Sequence, residues 1–339
     1  MTQESLSSLE PKIIKKLATA VYPSFAMLAG MQLDVFTTLK GGPLSTERIA
    51  DSIGVKPAKL KPLLYALMAA RLLTMKGGLF SNTDEANHFL VRESPYYIGD
   101  HAYINPLIML GNWDAALKTA ESIRTGLPQA KYDFSGKSED ELEWLFRGTH
   151  PIAVRAGREL VARYDFSSCR TLLDVGGGSG GLAIAITKTC PHIRATVVDL
   201  PSVTPVTRRL VKEAYATDRV RVMTADVVRG HLKGSFDVMV LRAFIQVLSP
   251  DQVRRALKNV GEVVNPGGVI YILGHILDNS RISPLEEVGH GIVYLNVYDV
   301  PAPYTEQEHK DWLTEAGFRQ IERDTLPNGD GVIRARNPA

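Results

Sequence analysis

The feature that most constrains this 339-residue chain is a glycine run placed straight after an apolar β-type segment, Thr171-Leu172-Leu173-Asp174-Val175-Gly176-Gly177-Gly178-Ser179-Gly180-Gly181. Glycine is needed where a backbone turns sharply and lies close to a ligand, because a Cβ would collide there. A helical stretch begins at about Leu182, so the run reads as a strand-to-helix turn. From Thr171 onward, short β-rich runs alternate with helices: TLLDV, ATVVDL, VRVMTAD, FDVMVL, GGVIYIL and finally DGVIRARN. That alternation predicts an α/β domain, an open parallel sheet with helices on both faces. In such sheets ligands bind beyond the carboxyl ends of the strands, where strand order reverses.

Residues 11–165 read differently, as almost entirely helical. Pro23 interrupts the first helical region, and MLAGMQLDVFTTL continues it at helix spacing. LSTERIADSIGV is a capped helix, with Ser45 or Thr46 at the N-cap and Gly54 at the stop. A further helix follows, and Lys76-Gly77-Gly78 then joins two short apolar runs as a hairpin. Helix, turn, helix and hairpin is the layout of a winged helix. The second helix carries Lys56, Lys59 and Lys61, with Arg71 behind it, so a DNA-binding role is weighed against a packing and dimerisation role. The chain is expected to divide near residue 165, into 1–165 and 166–339.

Composition narrows the classes. Hydrophobic residues make up 45% and charged residues 22%, enough apolar material for real cores. A net charge of +2, with no basic block, gives nucleic acid little support as a substrate. Two cysteines, Cys169 and Cys190, make neither a disulfide framework nor a zinc site. The opening MTQESLSSLEPKIIKK lacks the pattern of a secretory leader, and no apolar run is long enough to span a bilayer. The expectation is a cytoplasmic protein with no membrane partner.

Taken alone, the glycine run is ambiguous, because Gly176, Gly178 and Gly181 also satisfy a dinucleotide-binding spacing. Three carboxylates at successive strand ends separate the readings. Asp174 immediately precedes the glycines and can face a cationic amino-acid moiety. Asp199 ends the next strand and can accept from both ribose hydroxyls. Asp226 ends the third and can accept from an adenine amino group. A nicotinamide-dependent oxidoreductase shares Asp199 but has no need of the other two together.

On these residues the sequence resembles the class I S-adenosylmethionine-dependent methyltransferases, and more narrowly the plant-type small-molecule O-methyltransferases with their bacterial relatives. LLDVGGGSG, VVDLP, TADVV, FDVMVLR and NPGGVIYIL stand in that family's order and spacing. The resemblance implies S-adenosyl-L-methionine as cofactor and a Rossmann-like domain behind a helical winged-helix dimerisation domain. It also implies a homodimer whose N-terminal domains intertwine. Gly176 and Gly178 would then line the methionine end, Asp199 with Leu200 would hold the ribose, and Asp226 with Val227 would frame the adenine. Arg242 closes the cofactor side.

One departure is informative. In O-methylating relatives a histidine follows the strand matching FDVMVLR and removes the acceptor's proton, whereas here Gln246 stands at that place. An amide takes no proton at neutral pH. A phenol, with a pKa of about 10, gains from a poised base, typically ~10²–10⁴-fold, whereas a thioether sulfur has no proton to lose. The acceptor is therefore expected to be sulfur, with nitrogen or carbon behind it. The bacterial thioether S-methyltransferases of dimethylsulfoniopropionate synthesis are the relatives this favours, with methylation of a methylthio-hydroxybutyrate-like acid. The alternative restores a base for O-, N- or C-methylation through His290, in EEVGHGIVYLNVYD, or His150, in FRGTHPIAVR.

For the acceptor pocket the candidates are Phe146, Phe244 and Tyr294, with Tyr96, Tyr97, Trp113, Trp144 and Tyr298 as further aromatic faces for a sulfonium product. Arg147 or Arg242 would fork an acceptor carboxylate. No clustered set with metal-ligand spacing is evident, so metal independence is the expectation. A non-catalytic DNA-binding regulator on the same fold is the reading from another class.

Overall fold

The computed structural model describes residues 10–99, 104, 106–300, 303–326 and 330–338, and the side chains of 107 and 108 are not described. Residues 1–9, part of the N-terminal segment read for a leader, lie outside them. The chain forms two compact units that divide between Leu110 and Gly111.

The first unit is helical. It carries α1 (Lys12–Thr19), α2 (Tyr22–Gln32), α3 (Val35–Thr38), α4 (Thr46–Ile53) and α5 (Pro57–Ala69), then strands β1 (Leu73–Lys76) and β2 (Leu79–Asn82), and α6 (Asp84–Phe89). Ser45, rather than Thr46, caps α4: its Oγ accepts the Arg48 N–H at 3.4 Å, and Gly54 ends the helix in the left-handed region. Gly77 and Gly78 both have positive φ, so β1 and β2 close as a two-residue hairpin. Phe36, Ile49, Leu64, Leu67 and Phe80 form its core.

The helix α7 (Pro106–Leu117) leads into the second unit, followed by α8 (Thr119–Thr125) and the long α9 (Glu139–Arg163). Then come β3 (Thr171–Val175), α10 (Gly181–Thr189), β4 (Arg194–Asp199), α11 (Thr204–Glu213), β5 (Val220–Thr224), β6 (Phe236–Arg242), α12 (Pro250–Gly261) and β7 (Val264–Gly274). The chain ends with β8 (Ile276–Leu277), α13 (Leu285–Val297), β9 (Tyr304–Thr305), α14 (Glu306–Glu315), β10 (Arg319–Thr325) and β11 (Gly331–Arg336).

Seven strands make one sheet in the order β10-β11-β7-β6-β3-β4-β5. The five from β7 to β5 are parallel, as the alternation predicts, but β11 runs antiparallel to β7 and β10 to β11. The sheet is thus mixed rather than wholly parallel. β10 was not anticipated, because an edge strand reading RQIERDT shows solvent much of its length and has no apolar run. Both faces of the centre are covered. Leu173, Val175, Met239 and Leu241 face one core, and Leu172, Val238 and Val240 face the other, which is why β3 and β6 read as continuous apolar runs.

The expected division near 165 differs from the observed one because α9 belongs to the sheet unit. A capping box between Ser138 and Glu141 starts this helix, and its second half presents Ala153, Ala156, Gly157 and Leu160 to α10. A Cβ on Gly157 would lie 2.7 Å from the Leu182 carbonyl oxygen. The two helices pack that closely.

Candidate active site

β3 lies between β4 and β6, so strand order reverses there, and the glycine turn sits at that crevice. Gly176 and Gly178 have φ of +64° and +52°, which side-chain-bearing residues rarely adopt. A Cβ on Gly176 would meet the Phe244 ring at 2.5 Å, and one on Gly178 the Phe146 ring at 2.6 Å. The turn is held from the neighbouring strand. The Gly178 N–H donates to Asp199 Oδ2 and the Leu200 N–H to Oδ1, each at 2.8 Å. From α11, Thr207 Oγ1 donates to the Gly178 carbonyl at 2.6 Å.

Asp174 is 1% exposed, and neither carboxylate oxygen has a hydrogen bond of regular geometry among the described residues. Burial pushes its pKa up to about 7, with the Arg242 charge and the Ala183 N–H only partly offsetting it. Burial likewise raises Asp199 to about 6 against the pull of its two amide donors. A carboxylate has roughly four acceptor positions, so those amides leave Asp199 capacity for a diol. An orphaned buried carboxylate, a bare turn and a second carboxylate with acceptor capacity to spare fit S-adenosylmethionine's ammonium, methionine chain and ribose.

Asp226 lies beyond β5, which ends at Thr224 rather than at this residue, and its carboxylate has a structural duty. Its Oδ1 accepts from the Val228 N–H at 2.9 Å and the Arg229 N–H at 3.2 Å, closing a turn, while Oδ2 lies 3.7 Å from Arg229 Nε. Val227 is buried in the core. Arg242 ends β6 with its Nε buried and without a regular partner among the described residues. Ala243 then takes φ of +51°, a conformation that costs a residue with a Cβ roughly 1–2 kcal/mol, and the turn carries Phe244 over Gly176.

Gln246 follows in a single tight helical turn and is buried. Its Nε2 donates to the Tyr294 hydroxyl at 2.7 Å, and its Oε1 accepts the His275 N–H at 3.4 Å. A Cβ on Gly274 would lie 2.5 Å from that Oε1, so β7 ends in glycine to admit the amide. Immediately beyond, His275 Nδ1 is hydrogen-bonded to the Glu287 carboxylate. The His275 and His290 rings lie 4.0 Å apart, and His290 Nδ1 is 3.9 Å from Glu287 Oε2 and 3.0 Å from the Glu286 carbonyl. Burial, reinforced by His275, pushes the His290 pKa down to about 4. Tyr294 stands edge-on to His275, and Tyr298 lies 5.5 Å from Tyr294. Of the two expected histidines, His290 therefore joins Gln246 and Tyr294. His275 and Glu287 were missed, although Glu287-Val288-Gly289-His290 carries a readable helical i,i+3 pair.

His150 stands elsewhere, against the glycine turn: a Cβ on Gly181 would lie 3.0 Å from its Nδ1. That nitrogen is buried without a partner among the described residues, and burial, then the Arg147 charge, lowers the imidazole's pKa. Phe146 is also on this side, over Gly178. Arg147 does not stand open for an acceptor carboxylate. It donates from Nη1 and Nη2 to Glu213, both at 2.9 Å, and from Nε to Glu143 at 2.8 Å.

An open α/β sheet with a glycine turn between two strand-end carboxylates defines the class, an S-adenosylmethionine-dependent methyltransferase. The chain belongs to the O-methyltransferase family: the O-methyltransferase domain matches residues 121–319, and the O-methyltransferase dimerisation domain residues 15–92. It is 27% identical to the tetracenomycin polyketide synthesis 8-O-methyl transferase of Streptomyces glaucescens, over 97% of each chain. It is also 27% identical to the 3-hydroxy-5-methyl-1-naphthoate 3-O-methyltransferase of Streptomyces sahachiroi, over 95% of this chain and 94% of that one. Human N-acetylserotonin methyltransferase, solved in complex with S-adenosylmethionine, shares the fold with a TM-score of 0.80 at 20% identity, over 98% of this chain and 99% of that chain.

Proposed function

We propose that this methyltransferase moves the methyl of S-adenosylmethionine onto a hydroxyl oxygen of a small aromatic acceptor, and that His275, Glu287 and His290 manage the proton a histidine at position 246 would otherwise take. The observation that carries this reading is the contact between Gln246 and that group, through the His275 amide and the shared Tyr294. Ionisable chemistry stands one residue away from the place where the amide has none. The aromatic class of acceptor draws on the tetracenomycin and naphthoate relatives, and Phe244, Tyr294 and Tyr298 offer ring faces to it.

On the donor side Asp174 receives the methionine ammonium, and Gly176 and Gly178 leave space for the chain. Asp199 with Leu200 takes the ribose, Asp226 Oδ2 with Val227 the adenine edge, and Arg242 steadies the Asp174 charge. The acceptor oxygen attacks the methyl in line with the C–S bond. Its lone pair becomes the new C–O bond while the C–S pair returns to sulfur, leaving neutral S-adenosylhomocysteine. Holding the two substrates in that alignment supplies much of the rate. A homodimer suits the first unit, which the dimerisation domain matches over residues 15–92 and whose α1 exposes Ile13, Ile14 and Leu17 at 66–74%.

A second reading, methylation of a thioether acid, is favoured by one observation. Both ends of the Gln246 amide are engaged, which suits an acceptor that sheds no proton. It is weakened by Arg147, whose guanidinium is committed to Glu143 and Glu213. The experiment is a competition between a hydroxynaphthoate and a methylthio hydroxy acid for methyl-labelled cofactor. Label in an aryl methyl ether supports the first reading, and label in a sulfonium alone the second.

A further inference from the structure

We propose that His275, Glu287 and His290 form a binding site for a divalent transition-metal cation. Each offers one ligand atom, and these atoms all lie within 4.8 Å of one another. Ligands at about 2.0–2.2 Å from a common ion stand ~3–4 Å apart, so side-chain adjustments of about an ångström close the set. The elements prepare this arrangement. Glu287 and His290 are three residues apart on α13 and share one of its faces, the glutamate-x-x-histidine spacing that helices use to present metal ligands. His275 arrives from the end of β7, its backbone fixed to Gln246 Oε1.

The environment also suits a cation. The three side chains are only 8%, 10% and 14% exposed, and a buried carboxylate needs a positive or hydrogen-bonding partner. His290 Nδ1 is held by the Glu286 carbonyl at 3.0 Å. A backbone carbonyl on the other ring nitrogen is the common support for a ligating histidine. Two imidazoles and one carboxylate select zinc, iron(II), cobalt(II) or manganese(II) over the all-oxygen cations magnesium and calcium. Three protein ligands leave a coordination position open.

Resting on the hydroxyl reading above, that open position gives the cation a use. When bound, the cation would make an acceptor hydroxyl beside it more acidic, so that its proton would leave to water more readily and Gln246 would remain a spectator to the proton.

The test uses the full-length protein stripped with chelator, then titrated with zinc(II) by calorimetry and assayed for retained zinc after gel filtration. The expected result is a single equivalent of zinc per chain. His290→Ala and Glu287→Gln should each weaken binding at least ~10-fold, with unchanged far-ultraviolet circular dichroism and S-adenosylhomocysteine affinity, whereas His231→Ala, at an exposed histidine outside the cluster, should not. Cobalt(II) substitution should add a d–d absorption band that Glu287→Gln alters. Absence of retained zinc in the wild-type chain, or equal binding by the two ligand variants, overturns the site. The hydroxyl reading is judged separately, by methyl ether formation, so either idea can fail without the other.

Discussion

Gln246 Nε2 donates to the Tyr294 hydroxyl at 2.7 Å, tying the turn after β6 to α13. With the His275 N–H on its other end at 3.4 Å, this side chain is a brace among three elements. Gln246 is thus structural here, and the His275–Glu287 pair stands immediately beside it.

If Gln246 is a brace, removing it should cost stability as well as turnover. Gln246→Ala removes its hydrogen bonds with the Tyr294 hydroxyl and the His275 N–H, worth roughly 0.5–1.5 kcal/mol each. Urea denaturation should show a lower midpoint at unchanged slope. An unmoved midpoint would mean the two hydrogen bonds carry no net weight.

The cofactor side makes a separate demand. Asp199→Ala removes the acceptor for the Gly178 and Leu200 amides together with the proposed ribose contacts. S-adenosylhomocysteine affinity should fall roughly 10–100-fold, equivalent to about 1.4–2.8 kcal/mol, by calorimetry. Wild-type affinity in this variant would remove Asp199 from the cofactor site.

Asp174 sets a pH dependence. Unfolded, its pKa is about 3.9, and in the ligand-free fold burial raises it to about 7. Between these values the folded chain holds the proton more tightly than the unfolded one, so this residue's contribution to stability falls as pH rises from about 4 to about 7. Thermal melts of the ligand-free protein should show that loss relative to Asp174→Asn. Stabilisation by a cofactor ammonium should grow over the same window. Parallel pH curves for the two proteins would contradict the assignment.

Gly157 tests the packing that places α9 in the sheet unit. Alanine is the better helix former by roughly 0.8–1.0 kcal/mol, yet its Cβ here would stand 2.7 Å from the Leu182 carbonyl and 3.0 Å from Ala185 Cβ. Overpacking against backbone typically costs about 1–3 kcal/mol, so Gly157→Ala should destabilise on balance. A raised melting temperature would show that the two helices can move apart cheaply.

The donor half of the candidate site is written in local signals. A strand and its glycine turn are written contiguously, Asp199 ends the next strand, and Thr171–Val175 and Gly77-Gly78 fold where their residues indicate. The acceptor half is not, because its contacts cross the chain. His275 and Glu287 come from separate elements, joined by a loop whose path no periodicity records. The ion pairs of Arg147 with Glu213 need α9 laid beside α11, and helical spacing names a helix's apolar face without naming what it packs on. The same gap explains why α9 reads as part of the N-terminal domain.

His275, Glu287 and His290 are proposed above to manage the acceptor proton. The most direct measurement is kcat for a hydroxynaphthoate acceptor in Glu287→Gln and His290→Ala, with S-adenosylhomocysteine affinity measured alongside. Loss of proton management predicts a fall in kcat of ~10²–10⁴-fold at unchanged cofactor affinity. Turnover within twofold of wild type in both variants would contradict it.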